Sequence, residues 1–290
     1  MEISMCSPTS PARNFFNLRH RWEMPMIRLS LIITLLAFAL AIGLIELDQT
    51  DWAKGLDSDA HDAIFSLEMA ILLPLAPAAI YLHRFFAAAV ARSNSILIGP
   101  KQFPELFAVY QELGRRLAMA HLPRLYLTNG NGVVNAYALS CNRRHNYVVI
   151  HSEIALLLPT SPEIVEFVLA HELAHHKLGH VSLWRIIISL VPNTLVLPGR
   201  ATTCAQEYSA DRVAMAVCPH HASSARLLAV GPWLEKVVNP VAWNEQCTEE
   251  RGEFFVRIAN ALSTHAVLVK RFKALKDIES DGFSRHGDMF

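Results

Sequence analysis

Charge is scarce in this sequence: Asp, Glu, Lys and Arg make up 18% of the 290 residues, with 26 basic side chains against 26 acidic ones. A sparse and balanced charge supplies no electrostatic footprint for nucleic acid, so no nucleic-acid partner is expected. Cysteine offers no scaffold either. Cys6, Cys141, Cys204, Cys218 and Cys247 are odd in number and widely spaced, with no C-x-x-C pair. That pattern argues against a disulfide framework and a cysteine zinc knuckle, and it fits a reducing compartment. From about Ser93 onward, low-complexity stretches and internal repeats are also lacking. What the chain has in quantity is apolar surface, 52% of residues, and 14 histidines, several of them crowded at 171, 175, 176 and 180.

The apolar excess fits a chain lying partly in lipid. Leu29 to Ile45 is an uncharged apolar run flanked by Arg28 and Glu46, just long enough to cross a bilayer as a helix. Ala63 to Leu82 is a second candidate, interrupted by Glu68, Pro74 and Pro77, which a membrane helix tolerates when it kinks or packs on a neighbour. A buried soluble helix is the plainer reading of that second run. Arg13, Arg19, Arg21 and Arg28 precede the first run, and Arg84, Arg92 and Lys101 follow the second. Asp48, Asp51, Asp57, Asp59 and Asp62 lie between them against Lys54 alone. The positive-inside rule then places both termini in the cytoplasm. Ala37-Phe38-Ala39 resembles a signal-peptidase site, but apolar residues continue past it, which favours an uncleaved anchor.

The expected organisation is a cytoplasmic tail (1–28), a transmembrane hairpin (29–82) with an acidic outside loop (46–62), and one compact domain (93–290). The protein would then be integral to an inner or plasma membrane, with the lipid bilayer as a partner. Within the compact domain, Leu106, Val109, Tyr110, Leu113 and Leu117 recur at helical spacing between Phe103 and Ala120. Short strands are expected at Arg124 to Leu127, Val134 to Ser140 and Tyr147 to His151. The turn formers Asn129 to Gly132 and Asn142 to Asn146 separate them. Ser161-Pro162-Glu163 reads as an N-cap and first turn. Val181 to Pro198, broken by Arg185, Pro192 and Asn193, reads either as a membrane-hugging segment or as a helix buried on its predecessor. Further helices are expected at Ala205 to Val217, Ala222 to Val238, Phe254 to Leu262 and Val267 to Ile278. The fold class is mainly α with a small β-sheet.

His171-Glu172-Leu173-Ala174-His175 is an H-E-x-x-H motif on the helix that Ser161 opens. Residues four apart lie about 40° apart around a helix, so both imidazoles reach one metal ion from the same face. Glu172 is then close enough to take a proton from water at that metal without being a ligand. A catalytic zinc site wants a third protein ligand. The H-E-x-x-H-x-x-G-x-x-H pattern would put a histidine where Val181 stands. His180 is one residue early and, on a continuing helix, about half a turn away from His171. It and His176 read as supporting or surface histidines. Glu207 is the better candidate for the third ligand, with Asp211 on the same helical face able to orient a ligand imidazole. A solvated helix charge is the bland alternative for Glu207.

The segments HELAHHKLGH (His171 to His180) and EYSADR (Glu207 to Arg212) resemble the HtpX-like and CaaX prenyl-protein endopeptidase family of zinc metallopeptidases, with its gluzincin pattern. VVNAYAL (Val133 to Leu139) is similar to the family's N-A-F-A edge strand. STHAVLVKR (Ser263 to Arg271) is similar to its S-T-H-P-x-x-x-x-R segment, with Ala266 in place of the proline. The resemblance covers about Phe103 to Ile278. It implies a zincin-like metalloprotease domain, one zinc per chain held by His171, His175 and Glu207, and Glu172 as catalytic base. It also implies membrane or misfolded proteins, or prenylated peptides, as polypeptide substrates.

Zinc would polarise water and the scissile carbonyl, with Glu172 passing the proton to the leaving amine. His265, Tyr208 and Arg271 are candidate oxyanion donors. Substrate would lie along Asn135, Ala136, Tyr137 and Ala138, adding a strand to the edge. The rival readings are a zinc-binding membrane sensor or scaffold that does not cleave and, more distantly, a zinc amidase acting on small molecules.

Overall fold

The computed structural model describes residues 14–48, 60–219, 224 and 226–289. Asp51, Asp57 and Asp59 of the expected acidic loop and the start of the helix expected from Ala222 lie outside these residues. In chain order the elements begin with α1 (Glu23–Asp48), α2 (Ala60–Ser93), β1 (Ile96–Leu97) and α3 (Pro104–Arg116). The strands β2 (Arg124–Thr128), β3 (Ala136–Ser140) and β4 (Asn146–His151) come next. They lead into α4 (Ser152–Ala155), α5 (Pro162–Lys177), α6 (Leu183–Thr194) and α7 (Leu197–Val217). The chain closes with α8 (Arg226–Leu234), α9 (Pro240–Glu250), α10 (Phe254–Leu262) and α11 (Leu268–Asp281). The fold is mainly helical with one small mixed sheet, as the residue patterns indicate.

The sheet has the order β1-β2-β4-β3, with β2 and β4 parallel and the outer pairs antiparallel. Side chains alternate between its faces, as a period of two requires. Leu125, Val148 and Ile150 enter the main core together with Leu106, Val109 and Leu113 of α3. Tyr126, Tyr147 and Val149 face the other way, against Phe85 and Ala88 near the end of α2. The last turns of α2 therefore cover the sheet. β3 is an edge strand, registered Tyr137 to Val149 and Ala138 to Val148.

Among the described residues one helix is long and apolar enough to cross a membrane: α1, over Glu23–Gly43, with 17% of its window buried. Leu31, Leu35, Leu36 and Leu40 lie exposed along it. Its other side is hooked onto the domain by polar contacts. Ser30 and Thr202 hydroxyls lie 3.0 Å apart, and the Thr34 hydroxyl donates to the Ile188 carbonyl at 2.7 Å. Hydrogen bonds of this kind give an apolar helix a fixed rotation against its neighbours, because a hydroxyl left unpaired there is costly.

Several expectations change. Of the segment before α1, the described residues 14–22 pack on the domain: Phe15 and Leu18 belong to the main core and the Arg212 guanidinium donates to the Leu18 carbonyl at 2.7 Å. Ser161 stands at the N-cap of α5 but its side chain makes no capping hydrogen bond. α6 packs chiefly on α1 and α7 and leaves Trp184 and Leu190 exposed. α9 lies outside the helices that the apolar spacing indicates. Its start is signalled by Asn239-Pro240, where the Asn239 side chain accepts from the Val241 and Ala242 amides at 2.9 and 3.3 Å.

Candidate metal centre

The site is built where α5 meets α7, the helix pair with the most extensive mutual packing. Ala170 and Ala174 on α5 and Ala210 and Ala214 on α7 are all fully buried. Small residues spaced four apart let two helix backbones approach closely. The side chains beside them, His171 and His175 on one helix and Glu207 on the other, are thereby brought to one point. His171 Nε2 and His175 Nε2 are 3.1 Å apart. They lie 3.5 and 3.6 Å from the two Glu207 carboxylate oxygens. These three residues offer ligand atoms within 4.8 Å of one another and form a group that could hold a metal ion. Two imidazoles and a carboxylate make a donor set suited to zinc with a position left open.

The electrostatics fit a cation. Burial by itself would raise the Glu207 carboxyl, but His171, His265 and Arg271 outweigh it and hold the group well below the usual range. Glu207 is therefore an anion facing two imidazoles. Burial would lower His171, yet Asp211 and Glu207 together raise it to about 10. A cation placed between these groups takes over the role of that proton. His171 Nδ1, on the far side of the ring, lies 2.9 Å from Asp211 Oδ1, although off the ideal hydrogen-bond direction. Asp211 is itself fixed by Arg271, which donates through Nε and Nη2 at 2.8 and 2.6 Å.

Glu172 is buried, and burial, with Glu207 adding to it, pushes its carboxyl up to about 7. It lines the same cavity of about 470 Å³ as His171, His175, Glu207, His265 and Arg271. Asn135, Ala136, Tyr137 and Ala138 form part of its wall, so the edge strand fronts the cavity. Val181, the position a third histidine would take in the longer motif, lines it too.

The three candidate oxyanion donors fare differently. His265 is 69% exposed in its side chain, with Nδ1 3.2 Å from Glu207 Oε1, and Glu207 raises its pKa against the effect of burial. Arg271 spends two nitrogens on Asp211 and holds its third 3.3 Å from Glu207. Tyr208 is turned away. Buried beside Cys204 and Ala205, it points its hydroxyl at the Asp288 carbonyl, 3.4 Å off, and is absent from the cavity wall.

His180 does not lie where helical extrapolation puts it, whereas His176 stays on α5, and both are supporting rather than surface histidines. α5 ends at Lys177, and Gly179 takes a φ of 74°. The His180 amide then donates to the His175 carbonyl at 2.9 Å and the Gly179 amide to that of His176 at 3.1 Å. This is a Schellman turn, which folds the chain back on the helix end. The His180 ring lands behind His175, Nδ1 to Nδ1, at 2.9 Å. His176 Nε2 lies 3.0 Å from the Tyr147 carbonyl and so ties α5 to β4. Glu23, Arg19 and Arg185, which the motifs do not single out, gather beside His180. Their one sequence signal is a charge at the mouth of an apolar run, matched by Arg185 inside another.

Residues 100–198 match Peptidase family M48. That segment contains His171, Glu172, His175 and the edge strand, and it ends before Glu207. A stretch of 87 residues is 36% identical to a "Protease HtpX homolog" of Acaryochloris marina (strain MBIC 11017), covering 30% of this chain and 28% of that protein. The match thus spans somewhat less than a third of the curated relative's length.

Proposed function

We propose that this chain, an HtpX-like relative of the M48 metallopeptidases, is a membrane-anchored, zinc-dependent endopeptidase acting on membrane or misfolded proteins. The observation that carries the reading is the convergence of His171, His175 and Glu207 in a cavity that Glu172 also lines. His171 and His175 would each give an Nε2 lone pair, and Glu207 a carboxylate oxygen, to one zinc ion. The ion, when bound, supplies a Lewis acid that polarises the scissile carbonyl and acidifies the attacking water.

The chain's own residues divide the remaining work. Glu172 accepts the proton of the attacking water and delivers it to the leaving amine. Its buried setting suits both halves of that task, because a carboxyl raised toward 7 holds a proton long enough to return it. His265 is the better oxyanion donor, since Arg271 is already committed to Asp211 and Glu207. The free edge of β3 would take an extended substrate as an added strand. Main-chain hydrogen bonds then provide affinity with little demand on side-chain identity, which suits misfolded polypeptides.

α1 supplies an apolar surface suited to anchoring, and α2, carrying the expected second span, would complete a hairpin with the catalytic domain in the cytoplasm. The test is Glu172→Gln in the full-length protein, assayed on casein with a chelator control. Retained zinc with proteolysis lost by at least about 100-fold is expected, the minimum usual for removing a general base. Cleavage at the wild-type rate with zinc bound would overturn the mechanism. A zinc-loaded, folded wild type that cleaves no polypeptide would favour a sensor or scaffold instead.

A further inference from the structure

We propose that His180 and Glu23 form a positioning chain that holds His175 in the tautomer whose Nε2 lone pair faces the metal, tying the metal centre to the first turn of α1. The inference rests on the metal site proposed above and extends it to residues outside the motif.

The argument begins with proton counting. A neutral imidazole has one N–H and one lone pair. His175 Nε2 is the atom that faces His171 and Glu207, so a metal there requires the His175 proton on Nδ1. That Nδ1 lies 2.9 Å from His180 Nδ1. Two nitrogens at this distance share one proton, so His180 must present a lone pair at Nδ1 and carry its own proton on Nε2. His180 Nε2 in turn lies 3.3 Å from Glu23 Oε1, within ion-pair distance although off the ideal hydrogen-bond direction. A carboxylate there favours an N–H on the facing nitrogen and disfavours a lone pair. The opposite arrangement would put the His180 proton on Nδ1 and the His175 proton on Nε2, where it blocks the metal, and would set a lone pair against an anion. The carboxylate of Glu23, lying nearer His180 Nε2 than a lone pair there would favour, thus biases the tautomer two rings away.

Glu23 is well held for this purpose. It is 0% exposed, and the guanidiniums of Arg19 and Arg185 both contact Oε1, the latter at 3.2 Å. A buried carboxylate needs such partners to remain ionised. Arg19 also donates to the Leu178 carbonyl at 2.6 Å, which fastens the cluster to the Schellman turn. The two imidazole ligands thus have matching supports. Asp211 stands directly behind His171. Behind His175, Glu23 acts at one remove, through His180. Because Glu23 opens the apolar helix α1, the seating of that helix sets the orientation of a metal ligand.

The experiment uses the full-length protein in detergent, with zinc affinity measured by competition against a chromophoric chelator and folding checked by thermal melting. His180→Leu, which has no acceptor, should weaken zinc binding by about 10- to 100-fold. His180→Asn, whose Oδ1 restores an acceptor where Nδ1 stood, should recover most of that loss. Nitrogen-15 spectra of the zinc-loaded wild type provide a readout that needs no variant: His180 should show an unprotonated Nδ1 and a protonated Nε2. Wild-type affinity in folded His180→Leu, equal loss in both variants, or the opposite His180 tautomer would overturn the proposal while leaving the metal centre standing. A wild type that binds no zinc would overturn the metal centre, and the positioning chain with it.

Discussion

Replacing Arg271 with Met tests whether the site is organised around balanced buried charge. The Arg271 guanidinium holds Asp211 through two hydrogen bonds and sits 3.3 Å from Glu207, and all three side chains are nearly sealed from solvent. Methionine keeps much of the apolar stem but removes the guanidinium from two ionised carboxylates, one turn apart on α7, and leaves them His171 as the buried cation between them. Breaking one partner out of a buried ion pair costs about 3–5 kcal/mol. For a chain of this size each kcal/mol moves Tm by about 2–4 °C, so the metal-free variant should melt about 6–20 °C below wild type. Arg271→Lys should fall between them, because an ammonium cannot bridge both Asp211 oxygens as a planar fork does. Melting curves followed by circular dichroism in detergent and chelator give the comparison. A metal-free Arg271→Met protein melting within about 2 °C of wild type would refute the reasoning, because that is at most about 1 kcal/mol.

Two further outcomes follow from the same site. Burial pushes Glu172 up to about 7, and a base acts only when ionised, so kcat/KM should fall as pH drops through or below that value. A bound dication stabilises the carboxylate and moves this acid limb down, never up. A limb centred clearly above neutrality, read from a pH profile, would remove Glu172 as the base. Chelation should destabilise wild type and Glu172→Gln alike by about 2.7 kcal/mol relative to zinc at 100 times its Kd, a Tm drop of about 5–11 °C. Glu207→Ala, lacking a ligand, should show little or no such response in parallel thermal melts.

His171, Glu172 and His175 are legible from sequence because they lie within one helical turn, where the 3.6-residue period alone decides which side chains share a face. β2, β3 and β4 are legible because Asn129 to Gly132 and Asn142 to Asn146 punctuate the apolar runs. Glu207 and Asp211 are recognisable as a pair on one face of a helix. That they meet the histidines depends on the alanine-lined approach of α5 to α7, and packing between elements far apart in the chain has no local code. Tyr208 shows the limit from the other side: one residue past Glu207, it lies about 100° round the helix and so turns into a different cluster.

A straight extension of α5 puts His180 on the wrong side of the helix. The left-handed Gly179 ends the helix and returns the ring to His175. Glu23, Arg19 and Arg185 carry no motif, because their partnership is made only when α1 lies against α6 and α7. The chemistry of the H-E-x-x-H turn was therefore determined by the sequence itself, through helical geometry. The third candidate ligand's position and the support behind each imidazole were decided by tertiary packing, since burying a charge requires partners that only the folded chain can supply.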